Sequence, residues 1–453
     1  MAVRLIESMA TTPPLAAVFS DESLLEAMLN FEVALARAEA RLNIVPQSGA
    51  LAIAAVKASD FDCASLAESA LANATPVIGF VKQLTERVRG KDPAAAGFVH
   101  WGATSQDVAD TALVLLLRKA QGIFESDMVR LELALRRLAE KHGHTVMLGR
   151  TLLQSAPPTT FGLKAAGWLG AITRSHRRLA ESFHHARVLQ FGGASGTLAV
   201  LGGQGLAVAQ AIADELHLAL PDAPWHTHRD RLANLVCACG VLTGCLGKMA
   251  HDLSLLMQNE IAEAAEPAAE GRGSSSTMPH KHNPVGCVLA MSSAARVPSL
   301  VSAYLSSMVQ EHERAAGGWQ AEWSIISSVI EATGLAIFSM ACVAEGLTVD
   351  ANRMRANIAA THGSIFAERA MMALAGRIGR EAAQKVLEEA VRLSRAQDKG
   401  LSEVLGEIKE AKAHLDPKML KELEDPEKYL GSADEFRKRL LAVAKPPSDA
   451  DKE

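Results

Sequence analysis

Aromatic side chains are scarce in this chain: 4 % of 453 residues, including 2 Tyr and 5 Trp. Hydrophobic residues nevertheless make up 49 %. Ala, Leu, Glu and Arg dominate instead, and because these are strong helix formers the mixture favours helices over sheets. Charge of one sign is also lacking. A formal net charge of −5 is small for this length, and no block of like charge points to a nucleic-acid or membrane partner. The opening MAVRLIESMATTPPL has no apolar core of the kind a secretory signal needs. The six cysteines, Cys63, Cys237, Cys239, Cys245, Cys287 and Cys342, are scattered, so reduced thiols in a cytoplasmic protein are expected. Cys237, Cys239 and Cys245 fall in an apolar helical pattern rather than in a metal-ligand setting. No internal repeat is visible.

Long uncharged runs are present, and they are read as buried in protein. Residues 188–213 carry no charge but are broken by six glycines. Residues 232–247 are apolar but shorter than the roughly 20 residues needed to cross a bilayer. An uncharged helical run in a soluble chain implies burial on all sides, inside a large bundle or an oligomer.

Length beyond the usual single-core limit predicts two or three regions. Residues 1–107 read as several helices, with a start at Asp21-Glu22-Ser23 followed by apolar residues at 3.6-residue spacing. Residues 108–350 carry long patterns over 108–141, 156–189, 207–216, 229–264, 284–308 and 324–347. Residues 351–453 hold shorter, cap-punctuated helices and end in a Pro-rich, charged tail expected to be disordered. The predicted fold class is all-α: an elongated bundle of long central helices with smaller N- and C-terminal helical domains.

Three polar islands interrupt the helices. In HWGATSQDVADTA, residues 100–112, Thr104, Ser105 and Asp107 suit a helix cap. A helix start flanked by free hydroxyls also suits an anion, and His100 adds a proton carrier. In GRTLLQSAPPTTFG, residues 149–162, two prolines break and two threonines restart a helix. Arg150, Thr151 and Gln154 have no evident structural task there and together offer a cation and two hydrogen-bonding groups. The third island, GRGSSSTMPHKHNPVGC over 271–287, is too rich in Met and Pro for a Gly/Ser linker, and Lys281 and Asn283 are spaced to point two donors one way.

SSSTMPHKHNP closely resembles the signature loop of the fumarase/aspartase superfamily, and the other two islands match that superfamily's remaining blocks in order. The resemblance implies a homotetrameric helical bundle, no cofactor and no metal. Each active site would bind a small polycarboxylate with islands from three subunits. It carries the catalytic serine onto Ser275, although Ser274 stands where the superfamily has glycine. It carries carboxylate binding onto Lys281 and Asn283, the first block onto Thr104, Ser105 and Asp107 with His100 upstream, and the second onto Thr151 and Gln154.

One departure is informative. Where the lyases of this superfamily read Gly-Arg-Thr-His, this chain has Leu152. A leucine cannot protonate a poor leaving group. A carboxylate needs no such help, given an ordinary pKa near about 4. The chain is therefore expected in the branch that closes carboxylated muconates to lactones, a branch that EHERAAGGWQAEW over 311–323 also resembles. Ser275 would exchange the carbon-bound proton, with His100 as the second choice. Arg314 would pair with a substrate carboxylate, the alternative being a helix-surface arginine. Arg150, with His280 or His282, would add positive charge. Three alternatives stand beside this reading: adenylosuccinate-lyase-like elimination of fumarate, a sulfonated or otherwise substituted muconate, and a catalytically silent structural tetramer. His142/His144 and His226/His228 have metal-like spacing but no acidic or cysteine companions.

Overall fold

The computed structural model describes residues 5–267, 273, 278 and 281–444. Helices predominate, as expected for an all-α chain. The chain opens with α1 (Pro13–Val18), α2 (Asp21–Arg41), α3 (Gln47–Ala54), α4 (Cys63–Asn73) and α5 (Val77–Lys91). The long α6 (Ser105–Lys141) leads into a hairpin of β1 (Val146–Thr151) and β2 (Gln154–Thr160). Then come α7 (Phe161–Ala186), α8 (Gly205–Leu216), α9 (Asp230–Leu256), α10 (Val285–Ser307) and α11 (Gly318–Glu345). Two-residue strands β3 (Ala264–Ala265) and β4 (Thr348–Val349) pair with each other. α12 (Ala351–Ala359), α13 (Ala367–Ile378), α14 (Arg380–Gln397) and shorter helices complete the described chain.

Two compact units emerge: Met1–Val129 with Ser175–Gly247 and Leu289–Ser339, and Arg130–Arg174 with Lys248–Val288 and Met340–Glu453. The divisions fall inside the five longest helices, so each unit holds segments of all five.

In the first unit, Ser20 caps α2 by accepting the Ser23 amide. One face of α2 buries Leu25, Met28, Phe31 and Leu35, and the same face buries Glu32 and Glu39. The polar centre of this unit is Arg229. Its guanidinium, fully buried, donates to Asp110 at 2.8 and 3.0 Å and to Glu322 at 2.8–3.1 Å, and stacks 4.7 Å from the Trp225 ring. Trp319, Tyr304 and Gln310 donate to the same two carboxylates. Burial works against the Asp110 charge, but Arg229 outweighs it and holds the carboxyl below the usual range. For Glu322 burial prevails, and the carboxyl lies above its ordinary value.

Two apolar clusters can be named among the described residues of the second unit. One joins Leu374 of α13, Val386 and Leu387 of α14, and Leu401, Leu405 and Leu423 further along. The other packs Val146 and Leu148 of β1 against Ile358 of α12, Ile365 and Phe366. The β-hairpin corrects the expectation of a helix over 156–189: the prolines do not restart a helix but lie in β2, and the helix begins only at Phe161. The register skips Pro157 where the ribbon bulges, and a bulge is a position at which a strand tolerates proline.

A second correction concerns the apolar runs. Residues 232–247 belong to a 27-residue helix, and α9, α10 and α11 are each long and apolar enough to cross a membrane by length and composition. Within the chain, only 28 % of the apolar stretch of α10 is buried, against 56 % for α9 and 67 % for α11.

Removing Arg229 while keeping its partners would strand two buried carboxylates. Arg229→Met is expected to destabilise the protein by about 3–5 kcal/mol, whereas adding Glu322→Gln should restore part of the loss. Chemical denaturation of both variants would check this.

Candidate active site

The first island is built around Asp107, which is fully buried in the first turn of α6. Its carboxylate accepts the Thr104 amide at 3.0 Å, the reciprocal half of a capping box. It also accepts the amides of Gly192 and Gly193 at 3.0 and 2.9 Å and contacts His226 Nε2 at 2.7 Å. Asp107 thus does the capping. The half-buried hydroxyls of Thr104 and Ser105 make no hydrogen bond among the described residues. His226 has its task here, just as His142 meets Thr145 at 3.1 Å.

Arg314 joins this island. Its guanidinium donates to Gln106 Oε1 at 3.0 Å and to the carbonyls of Gly193 and Ala194 at 2.8 Å each. All three acceptors are neutral, so no carboxylate pairs with the guanidinium directly, while Asp107 and Asp110 nearby favour its charge; this suits it to an anionic ligand. Buried Gln106 holds the arrangement by donating to Asp110 and to the His226 carbonyl. Residue spacing offered no sign of that role.

His100 sits at the mouth of the island in a left-handed conformation, φ +60°. Its Nδ1 lies 2.6 Å from Oε1 of Glu32, a fully buried residue of α2. Burial disfavours the imidazolium, but Glu32 and then Asp107 more than offset this and hold its pKa above the ordinary value. Two turns along α2, Glu39 is completely buried with no partner for either carboxyl oxygen among the described residues. Burial first, then the proximity of Glu32, pushes Glu39 up to about 8.

The second island is the hairpin tip. Register pairs Thr151 with Gln154, leaving Leu152 and Leu153 as a two-residue loop. Both have positive φ, 49° and 64°, and are 96 % and 76 % exposed. Such a turn ordinarily takes Asn-Gly, and left-handed backbone costs an L-residue roughly 1–2 kcal/mol. Thr151 and Gln154 are exposed beside the tip. Arg150 departs from its expected role: it makes a bidentate pair with buried Glu263 at 2.7 and 3.0 Å, and Asn357 donates to the same carboxylate. It therefore has a structural task and its charge is already balanced. Gly149 is required where β1 bulges, since a Cβ there would meet the Pro157 carbonyl at 2.4 Å.

Of the third island, Ser274, Ser275 and His280 lie outside the described residues. Lys281 and His282 are exposed, and Asn283 is half-buried with its amide donating to the Gly273 carbonyl at 2.9 Å. Glu266 accepts the amides of Gly286 and Cys287 at 3.0 and 2.8 Å, capping α10 at the end of this segment. His100, Thr104, Ser105 and Arg314 belong to the first unit, and Arg150, Thr151, Gln154, Lys281 and Asn283 to the second.

A protein-family model described as a lyase matches residues 7–299, and one described as an adenylosuccinate lyase C-terminus matches residues 363–440. The chain belongs to this lyase family. Lyase-family relatives match along nearly the whole length. Two curated proteins named 3-carboxy-cis,cis-muconate cycloisomerase, from Bradyrhizobium diazoefficiens and Pseudomonas aeruginosa, are 46 % and 47 % identical, covering 96 % and 97 % of this chain and 97 % and 96 % of their own. The crystal structure of 3-carboxy-cis,cis-muconate lactonizing enzyme from Pseudomonas putida superposes with a TM-score of 0.92 at 42 % identity, covering 98 % of this chain and 99 % of that one. The superfamily and its helical fold are thereby shown.

Two outcomes follow from the site's stored costs. Replacing Leu152-Leu153 by Asn-Gly should relieve the turn and raise the midpoint of chemical unfolding. For Glu39 the folded carboxyl lies above its unfolded value, so the stability it permits is full below about pH 4.5 and declines as pH rises towards 8. The stability of Glu39→Gln relative to the parent should accordingly improve across that window, as read by denaturation at stepped pH.

Proposed function

We propose that the chain is a 3-carboxy-cis,cis-muconate cycloisomerase, adding a carboxylate intramolecularly to a conjugated double bond to give 4-carboxymuconolactone in protocatechuate degradation. The observation that carries this reading is the near-full-length identity to cycloisomerases, 42–47 % in four curated relatives. Leu152 at the fully exposed hairpin tip supports it, because the lyases' acid is missing where this chemistry does not need one. The reaction changes no oxidation state and uses an adequate nucleophile, so no cofactor is called for.

In this reading the attacking carboxylate needs only positioning. The electron pair displaced from the double bond collects on a carboxylate as a dianionic aci form. Lys281, Asn283, Thr104 and Ser105 would cradle that charge, Arg314 would hold a further carboxylate of the tricarboxylate substrate, and Thr151 and Gln154 would add hydrogen bonds. Carbon is then protonated by Ser275 or by His100. Arg150 would contribute only indirectly, through the Glu263 pair that fixes the base of the hairpin.

A homotetramer with active sites shared between subunits fits the apolar surface of α10, most of which the chain leaves uncovered. Other copies would cover it, and the protein would then be a soluble cytoplasmic enzyme rather than a membrane one.

Incubating the purified protein with 3-carboxy-cis,cis-muconate should bleach the diene's ultraviolet absorbance. Ser275→Ala and Lys281→Met should each slow the reaction about 10²–10³-fold, the usual cost of one such group. Leu152→His should bring no gain. If the diene persists, the proposed activity is wrong, and sulfonated muconate and adenylosuccinate become the next substrates to assay. An unimpaired Ser275→Ala protein would remove only the serine and leave His100 as the proton donor.

A further inference from the structure

We propose that Glu32 is the positioning residue of a Glu–His dyad, holding His100 with its Nε2–H outward as the donor of the proton that carbon receives during lactonisation. This deepens the functional reading above and rests on it for the identity of the reaction.

The geometry fixes which ring nitrogen is engaged. Nδ1 faces Glu32 Oε1 at 2.6 Å, and the Glu32 side chain has no exposed surface, while the His100 side chain keeps 18 %. Nε2 is the ring nitrogen left without a hydrogen bond among the described residues. A hydrogen bond this short to a buried carboxylate fixes ring orientation and tautomer, the function that carboxylates serve behind many acting histidines. The backbone points the same way. His100 is held at φ +60°, a conformation uncommon outside glycine, which the surroundings must maintain against its cost.

The charge environment has been built around one proton. Facing His100 are Glu32 from α2 and Asp107 from α6, and behind Glu32 lies Glu39 from the same helix. Asp107 is itself in contact with His226, and Arg314 lies across the Gly193 carbonyl. Glu39 keeps its own proton at neutral pH, so only one charge occupies that face of α2. The second oxygen of Glu32 is buried with no partner among the described residues. Among the described residues that carboxylate has no partner besides His100, which a purely architectural role for Glu32 would not explain.

The step balances. As the substrate's carboxylate oxygen bonds to one alkene carbon, the π pair moves into the aci-carboxylate. The pair then returns to take the proton from His100 Nε2 onto carbon. Neutral imidazole remains and is recharged by solvent, matching the net uptake of one proton as a trianion becomes a dianion.

The test uses the full-length enzyme and two readouts. First, histidine labelled with 13C at Cε1 is titrated by NMR in the free enzyme, with His100 assigned by His100→Gln. His100 should titrate above an ordinary histidine, and in Glu32→Gln its titration should fall to lower pH. Second, the alkaline limb of the pH–kcat profile should move to lower pH in Glu32→Gln. Its kcat at pH 7 should drop about 10²-fold, with KM changed far less, and Glu32→Asp should recover part of the rate. A wild-type His100 that titrates at or below the ordinary value overturns the proposal, whether or not any variant folds. So does a Glu32→Gln enzyme whose titration and pH limb are unmoved. An absence of turnover on the muconate would instead sink the assigned reaction, and the titration would still decide the dyad.

Discussion

The carboxylate of Asp107 is the constraint on which the first half of the site depends. It is fully buried and takes contacts from four directions: the Thr104 amide, the amides of Gly192 and Gly193, and the His226 ring. A buried carboxylate is tolerated only when its lone pairs are met, and each of these partners is thereby fixed in place. The Thr104 contact ends the loop and starts α6, so the hydroxyls of Thr104 and Ser105 need not serve as caps. The Gly193 contact anchors the loop whose carbonyls receive Arg314. One side chain thus couples a helix start, a glycine loop and a cation.

Charge is handled in two opposite ways across the candidate residues. Arg314 is oriented by a carboxamide and two carbonyls and makes no direct ion pair among the described residues. Arg150 is met by a buried carboxylate in a bidentate fork, and its charge serves architecture. Arg229 goes further, balanced between two carboxylates in the interior. Arginines that read alike in sequence therefore divide by acceptor: neutral acceptors leave a cation for a ligand, and carboxylates consume it.

The helical architecture was legible because its signal is periodic and long. Spacing predicts 108–141, and the helix spans Ser105–Lys141; it predicts 284–308, and the helix spans Val285–Ser307. The hairpin was not legible, since its local chemistry argues against it. Prolines occupy β2, and two leucines stand where a tight turn wants Asn-Gly. The pairing is held by non-local burial, with Val146 and Leu148 resting on Ile358 and Phe366, and adjacent residues cannot report that. Within the site, the motif residues were visible as polar islands, but the hydrogen-bonding tasks of Gln106, Glu263 and Glu322 were not. The one overlooked signal lay in α2, where Glu32 and Glu39 fall seven residues apart on the stripe of Leu25, Met28 and Leu35. Two acids on a buried face are costly unless something answers their charge.

That cost explains why the same helix holds both acids in different states. Burial disfavours the charged form of Glu39, and the nearby Glu32 adds to that, so its carboxyl is pushed up to about 8. His100 approaches Glu32 and leaves Glu39 unpartnered, and its left-handed backbone is what brings the ring to that carboxylate. The displaced acidity of Glu39 comes first from its burial and then from the neighbouring Glu32. At the hairpin the same reasoning applies to a different cost. Two exposed leucines in left-handed backbone are buried by nothing among the described residues, so local packing does not account for them.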